Sequence, residues 1–197
     1  MNSKESMLDA IRRHCPAEAP LPDLDREWVR YDDPRQQFAA TLESVGGRCV
    51  MAGDADQINA ELAAMPAWQQ AKQTVSLLPG VGPGNVDLNA LAGPHELEAL
   101  DFAILPGEFA VAENAAVWVT DEAVKHRVVY FIAQHVALVV PAAAVLDNMH
   151  QAYQRMTFTG PRFGTFISGP SKTADIEQSL VIGAHGARSL TVFLLQG

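Results

Sequence analysis

The alternation of apolar and polar positions divides the chain into short strands and helical stretches. Met7, Leu8 and Ile11 share one face of a predicted helix over 3–13, capped by Asn2 or Ser3. Pro16, Pro20 and Pro22 then break the pattern, so residues 1–22 read as an N-terminal helix with a proline-rich linker and residues 23–197 as one domain. Phe38, Leu42 and Val45 recur at helical spacing after Asp33-Pro34, and Gly46-Gly47 stops that helix. RCVMA (48–52) predicts a strand, Asp54 caps a helix with Ile58, Leu62 and Met65 inward, and QTVSLLP (73–79) predicts a second strand.

Residues 79–94 are rich in Gly and Pro, but Gly80, Gly82 and Gly84 miss the spacing of a dinucleotide-binding turn, and Pro83 interrupts them. DFAILPG (101–107) and FAVAENAAVWV (109–119) predict strands, the second divided at Glu113-Asn114. Thr120 or Asp121 caps an expected helix with Val124, Val128 and Phe131. HVALVVP (135–141) is a wholly apolar strand, the pattern of a parallel sheet covered on both faces. Pro141 is expected at the first position of the helix PAAAVLDNMHQAYQRM. TFIS (165–168), a helix over 171–182 and LTVFLL (190–195) complete the alternation. The class is α/β with a mostly parallel sheet.

Composition narrows the function. A chain of 197 residues, 48% hydrophobic and 19% charged, has enough apolar surface for one large core. Its net charge of −9 argues against general nucleic-acid binding, which draws on clustered Lys and Arg. The charge is uneven: −2 over residues 1–50, −10 over 51–124 and +3 over 125–197, so the last third is the part suited to an anion. Cys15 and Cys49 have no ligand spacing for zinc and suit a reducing cytoplasm. The apolar run 128–146 is interrupted by Gln134, His135 and Pro141, which speaks against a membrane span. The N-terminus lacks a secretory pattern.

FISGPSKTADIEQSL (166–180) is the first candidate site. With a helix beginning near Ser171, its free N–H groups and Lys172 suit a phosphate or carboxylate, and Gly169 permits close backbone approach. The alternative is structural, since Ser171 or Thr173 as a cap and Asp175 and Glu177 in the first turns are what a helix start selects by itself. Glu113, set among small and apolar residues, is expected to be partly buried, which favours an acid, base or nucleophile; a strand-end carboxylate bonded to backbone is the other reading. His126, His135 and His185 are open to proton transfer or to ordinary half-buried roles, and Arg162 and Arg188 to anion pairing or solvation. GxSxG, HExxH, the P-loop and the deaminase signature are all absent from the sequence.

The stretch FISGPSKTADIEQSLVIGAHGARSLTVFLL (166–195) resembles the C-terminal signature of the lactate-utilisation (LUD) family, and DFAILPGEFAVAENAAVWVT and RVVYFIAQHVALVVP resemble its middle portion. The resemblance implies a three-layer α/β/α fold akin to that of sugar-phosphate isomerases, glucosamine-phosphate deaminases and CoA transferases. It implies a part in oxidising L-lactate to pyruvate together with iron–sulfur partner proteins, any clusters being carried by those partners. Whether the chain is itself a catalyst is left open, as is a non-catalytic assembly role or the binding of a sugar phosphate or CoA ester. Residue by residue, the resemblance marks Ser168, Gly169, Ser171, Lys172, Thr173, Asp175, Glu177, Arg127 and His185 for ligand binding, and Glu113 and His135 for catalysis. The usual Glu-Thr-Gly-Thr of the family is Glu-Asn-Ala-Ala here, without two hydroxyls and the glycine, and Ala133-Gln134 replaces the usual Pro-Pro.

Overall fold

The computed structural model describes residues 3–16, 19–24, 26–122, 124–156, 163–174 and 180–196. Asn2, Arg162, Asp175 and Glu177 lie outside them. Helix α1 (Ser3–Arg13) has Met7, Leu8 and Ile11 on one face as expected, all exposed. Helix α2 (Pro34–Ser44) starts where Asp33 accepts from the N–H groups of Arg35 and Gln36, with Pro34 in the first turn. Strand β1 (Arg48–Ala52) leads to α3 (Ala55–Ala64), capped by Asp54 through Gln57 N, and then to α4 (Pro66–Gln70) and β2 (Thr74–Ser76). After the long loop come β3 (Phe102–Pro106), β4 (Phe109–Val111), β5 (Ala116–Thr120) and the single turn α5 (Val129–Ile132). The chain continues through β6 (His135–Pro141), β7 (Val145–Leu146), α6 (Met149–Arg155), β8 (Gly164–Ile167), β9 (Lys172–Ala174), β10 (Leu180–Ile182) and β11 (Ser189–Leu195).

Five strands, in the order β1-β11-β6-β3-β2, form a wholly parallel sheet. Side chains alternate across it with the strand period of two. Phe102, Ile104, Ala137, Val139 and Phe193 face one side and pack with Ile58 and Leu62 of α3. Ala103, Leu105, Val136, Leu138, Val192 and Leu194 face the other, against Phe38 and Leu42 of α2 and against Ala110 and Val117. Each fully buried Leu, Ile or Phe removes enough apolar surface to stabilise the fold by roughly 1.5–3 kcal/mol. The last two residues belong to a smaller sheet, β7-β4-β5-β8, which shares the second face with α2 and α5. The α/β class with a mostly parallel central sheet therefore holds, and a second sheet contributes to one of the covering layers.

Of three helices expected from the sequence, two are shortened and one gives way to strands. The one over 121–131 shrinks to α5: Val124 N bonds to Asp121 O and Val129 N to His126 O in separate tight turns, while Lys125 reaches the carbonyls of Asn89 and Leu91. Pro141 does not open an α-helix but closes β6 in register with Leu195, and only a single 3-10 turn (Ala142–Ala144) follows; Val145 then pairs with Ala110, and the α-helix waits for its cap at Asn148. Residues 172–174 and 180–182 pair antiparallel, Thr173 with Val181, so strands stand at both ends of the helix expected over 171–182, whose residues 175–179 lie outside the described residues. The β-branched Thr173, Val181 and Ile182 suit strand geometry, and Gly183, at φ +77°, ends it.

Candidate functional site

The pairing of β9 with β10 removes the helix N-terminus on which the anion argument for residues 168–177 rested. It also changes their place. Ser171 N donates to Ala187 O, Gly183 N to Ser171 O, and Arg188 N to Gln134 O, so the Gly-Pro-Ser turn sits beside the residues that open β11 and β6. This is the amino-terminal edge of the parallel sheet, whereas the expected location was at the carboxyl ends of the strands, where α/β sheets generally hold ligands.

Several of the marked residues meet along this edge. Gly169 has φ +71°, and a β-carbon there would lie 2.9 Å from Val45 O, so only glycine fits against the end of α2. Lys172 extends over Gly46; its Nζ is 3.9 Å from where a β-carbon on Gly46 would stand. No basic residue occupies the last turn of α2, and Lys172 supplies the favourable charge from another element. His185 and Gly186 line a shallow cleft of about 370 Å3 with Phe131, Gln134 and Glu98. Ser168 Oγ donates to Asn114 O at 2.7 Å, tying this turn to the Glu-Asn-Ala-Ala turn. Arg127 meets an aromatic pair instead: its guanidinium lies 5.3 Å from the Phe163 ring, which contacts Phe131 edge-on.

His135 is half-buried. Its Nδ1 lies 2.8 Å from Ser189 Oγ, directly across the first register position of β6 and β11. Burial and the neighbouring Arg188 push its pKa below the ordinary histidine range, against an opposing pull from Asp101. The Asp101 carboxylate accepts from Gln73 N and Lys72 N, which hold its own pKa down. The net effect favours the neutral imidazole over the charged one. Sequence reasoning missed Ser189, whose signal was a lone hydroxyl at the head of an apolar strand, and Asp101, which the sequence presents only as the acid that opens a predicted strand.

Glu113 is exposed, contrary to the burial expected from its neighbours. Its Oε2 accepts from Met149 N at 2.9 Å, so the carboxylate caps the start of α6. The apolar residues around it point into the core, while the turn lifts Glu113 and Asn114 outward. Ala115, buried at φ +54°, occupies the left-handed conformation that glycine adopts readily. Among the described residues, no three His, Cys, Asp or Glu side chains group as metal ligands.

The comparisons with known proteins bear on the family and the fold. The model of the LUD domain matches residues 94–195, which include the second sheet, His135, the Gly-Pro-Ser turn and His185. The chain belongs to the LUD domain family. It is similar to lactate utilization protein C of Oceanobacillus iheyensis, 20% identical over 98% of this chain and 81% of that protein. It is also similar to the proteins of that name from Shouchella clausii, 33% identical over 47% of this chain, and Geobacillus kaustophilus, 29% identical over 60%. These two alignments span 42% and 49% of the relatives' own lengths. A crystal structure of a DUF162 family protein from Deinococcus radiodurans has the same fold, with a TM-score of 0.61 and 17% identity over 83% of this chain and 96% of that one. No helix among the described residues is long and apolar enough to cross a membrane.

Proposed function

We propose that this LUD-family chain is a cytoplasmic component of a system that oxidises L-lactate to pyruvate, and that it holds a small anionic ligand at the amino-terminal edge of its parallel sheet. The observation that carries the reading is the convergence, on that edge, of the Ser168–Lys172 turn, His185-Gly186 and the His135–Ser189 pair, all within the LUD match. The relatives named lactate utilization protein C support the pathway. Oxidation of lactate releases two electrons and two protons. In this reading the electrons pass to iron–sulfur clusters on partner proteins, and the neutral His135 is available to accept a proton. Lys172 supplies positive charge to the ligand. Glu113 contributes through α6, as its cap.

The test is growth of a deletion strain on lactate as sole carbon source, complemented with wild type, Lys172→Ala, His185→Ala or His135→Gln. Retained growth with all three variants rejects the site. Co-purification with a protein bearing iron–sulfur clusters tests the partner, and its absence under lactate induction counts against that part of the proposal.

A second reading, a non-catalytic assembly module, is favoured by the Glu-Asn-Ala-Ala turn: the Glu113 carboxylate is engaged as a cap, and Asn114 Oδ1 turns back to Ala116 N at 3.2 Å. Full lactate oxidation by a complex carrying His135→Gln would favour it. A thermal-shift screen of lactate, pyruvate, phosphosugars, folates and CoA esters separates both from a sugar-phosphate or CoA-ester role.

A further inference from the structure

The two outer strands of the parallel sheet are finished differently. At β2 the following loop folds back over the edge: Asn85 N and Val86 N donate to Thr74 O, and Thr74 N donates to Asn85 Oδ1. The β1 edge has no such cover. Gln196 N donates to Ala52 O, and alternate residues of a parallel strand bond to a given neighbour, so Arg48, Val50 and Ala52 turn their peptide groups toward β11. Those of Cys49 and Met51 point away from the sheet, and among the described residues they make no hydrogen bond beyond the β11 pairing. The Met51 side chain is 44% exposed.

An open edge is a template for another strand unless charge, proline or a bulge blunts it. Here the blunting is weak. RCVMA has no proline, and its one charge, Arg48, is drawn toward α3 by an ion pair with Glu61 at 2.7 Å.

The edge is complementary to its own copy. In an antiparallel pair centred on Val50, Cys49 of each chain falls opposite Met51 of the other, and the outward N–H and C=O groups of these residues bond to one another. A strand that meets its own copy brings its central residue against itself; a charge there would repel, whereas the β-branched Val50 packs well across strands. Met51 of one chain then covers the half-buried Cys49 of the other. Arg48 falls opposite Ala52 and close to the exposed Asp54 beyond it, so unlike charges meet at both ends of the pair. No carboxylate stands in β1 itself; Glu43 and Glu61 belong to the flanking helices, and Glu61 is already held by Arg48.

We propose that β1 pairs with the β1 of a second copy about a two-fold axis at Val50, joining the two five-stranded sheets into one continuous sheet across a homodimer. The interface is independent of the ligand site at the amino-terminal edge.

Sedimentation equilibrium on the full chain tests it, at concentrations up to about 100 µM, where a dimer of micromolar Kd is well populated. Twice the mass of one chain is expected. Amide exchange followed by NMR is expected to be slow at Cys49 and Met51 in concentrated samples and fast on dilution, while Val50, bonded to β11, stays slow throughout. Met51→Pro removes an outward N–H and leaves the β11 ladder whole, and is expected to weaken the dimer about tenfold or more. Met51→Lys places a guarding charge on the edge without altering the backbone and is expected to act in the same direction. Circular dichroism matching wild type establishes that both variants fold. A wild-type chain that stays monomeric throughout, a dimer in which the Cys49 and Met51 amides exchange freely, or one that both variants leave intact overturns the proposal. So does protection of those amides that appears only when a different protein is added.

Discussion

His135 and Ser189 face each other across the opening pair of β6 and β11, with Nδ1 and Oγ 2.8 Å apart. Burial first, then Arg188, lowers the imidazole pKa, and Asp101 raises it. Removing the cation by Arg188→Gln is therefore expected to move the His135 midpoint upward, and Asp101→Asn to move it downward, both read by NMR titration of the ring carbons. The folded pKa lies below the unfolded value of 6.5, so the unfolded chain binds the proton more readily. The stability contributed by neutral His135 is complete above pH 6.5 and is lost as pH falls through the folded pKa. In His135→Gln that part of the acid limb should flatten; an unchanged limb refutes the account.

The two cysteines are expected to react very differently. Cys15 is exposed, whereas burial, reinforced by Glu43, pushes the half-buried Cys49 thiol up to about 11. Only the thiolate is a good nucleophile. Iodoacetamide at pH 8 should label Cys15 within minutes and Cys49 only after denaturation, as mass spectrometry of the intact chain would show. Equal labelling in the native protein would contradict the partial burial of Cys49.

The sheet was largely legible in the sequence because its strands are nearly continuous apolar runs, such as Val136–Val140, bounded by polar or turn residues. Asp33-Pro34 and Asp54 likewise announced α2 and α3 through local capping chemistry alone. The errors fell where local and tertiary preferences diverge. PAAAV carries good helix formers, yet Pro141 pairs with Leu195 and Val145 with Ala110, partners no local window contains. In the same way, SKTADIEQSL reads as a capped helix, while Thr173 and Val181 pair as strands. The candidate site was visible as a set of residue types in the GPSKT and AHG motifs. Its position was not, because the inference to the carboxyl ends of the strands depended on the misread helix.

Gly169 gives the most direct check on the Gly-Pro-Ser turn. An alanine there would combine a left-handed φ of +71° with a β-carbon 2.9 Å from Val45 O. Strain of this kind amounts to about 1–3 kcal/mol. Gly169→Ala should lower the urea midpoint accordingly. It should also disturb Lys172 and His185 signals, since the turn is bonded to Ala187 and Gly183. Wild-type stability would mean that the turn does not rest on α2 as described.

Ala115 poses the opposite experiment. It holds φ +54° in a buried turn where the LUD pattern described above has glycine, and a non-glycine residue pays a steric penalty in that region. Ala115→Gly relieves the strain but gives the unfolded chain more freedom, so the expected net gain is modest, about 0.5–1 kcal/mol by chemical denaturation. Asn114→Thr and Ala116→Thr then restore the two hydroxyls beside Ser168, which already donates to Asn114 O. If the Glu-Asn-Ala-Ala turn has weakened an ancestral ligand site, the triple variant should bind a small organic anion such as lactate or pyruvate more tightly than wild type, with the gain lost again in Lys172→Ala. A triple variant that is more stable yet binds no better would place the turn's role in the architecture of the second sheet and leave ligand binding to the His185 side of the edge.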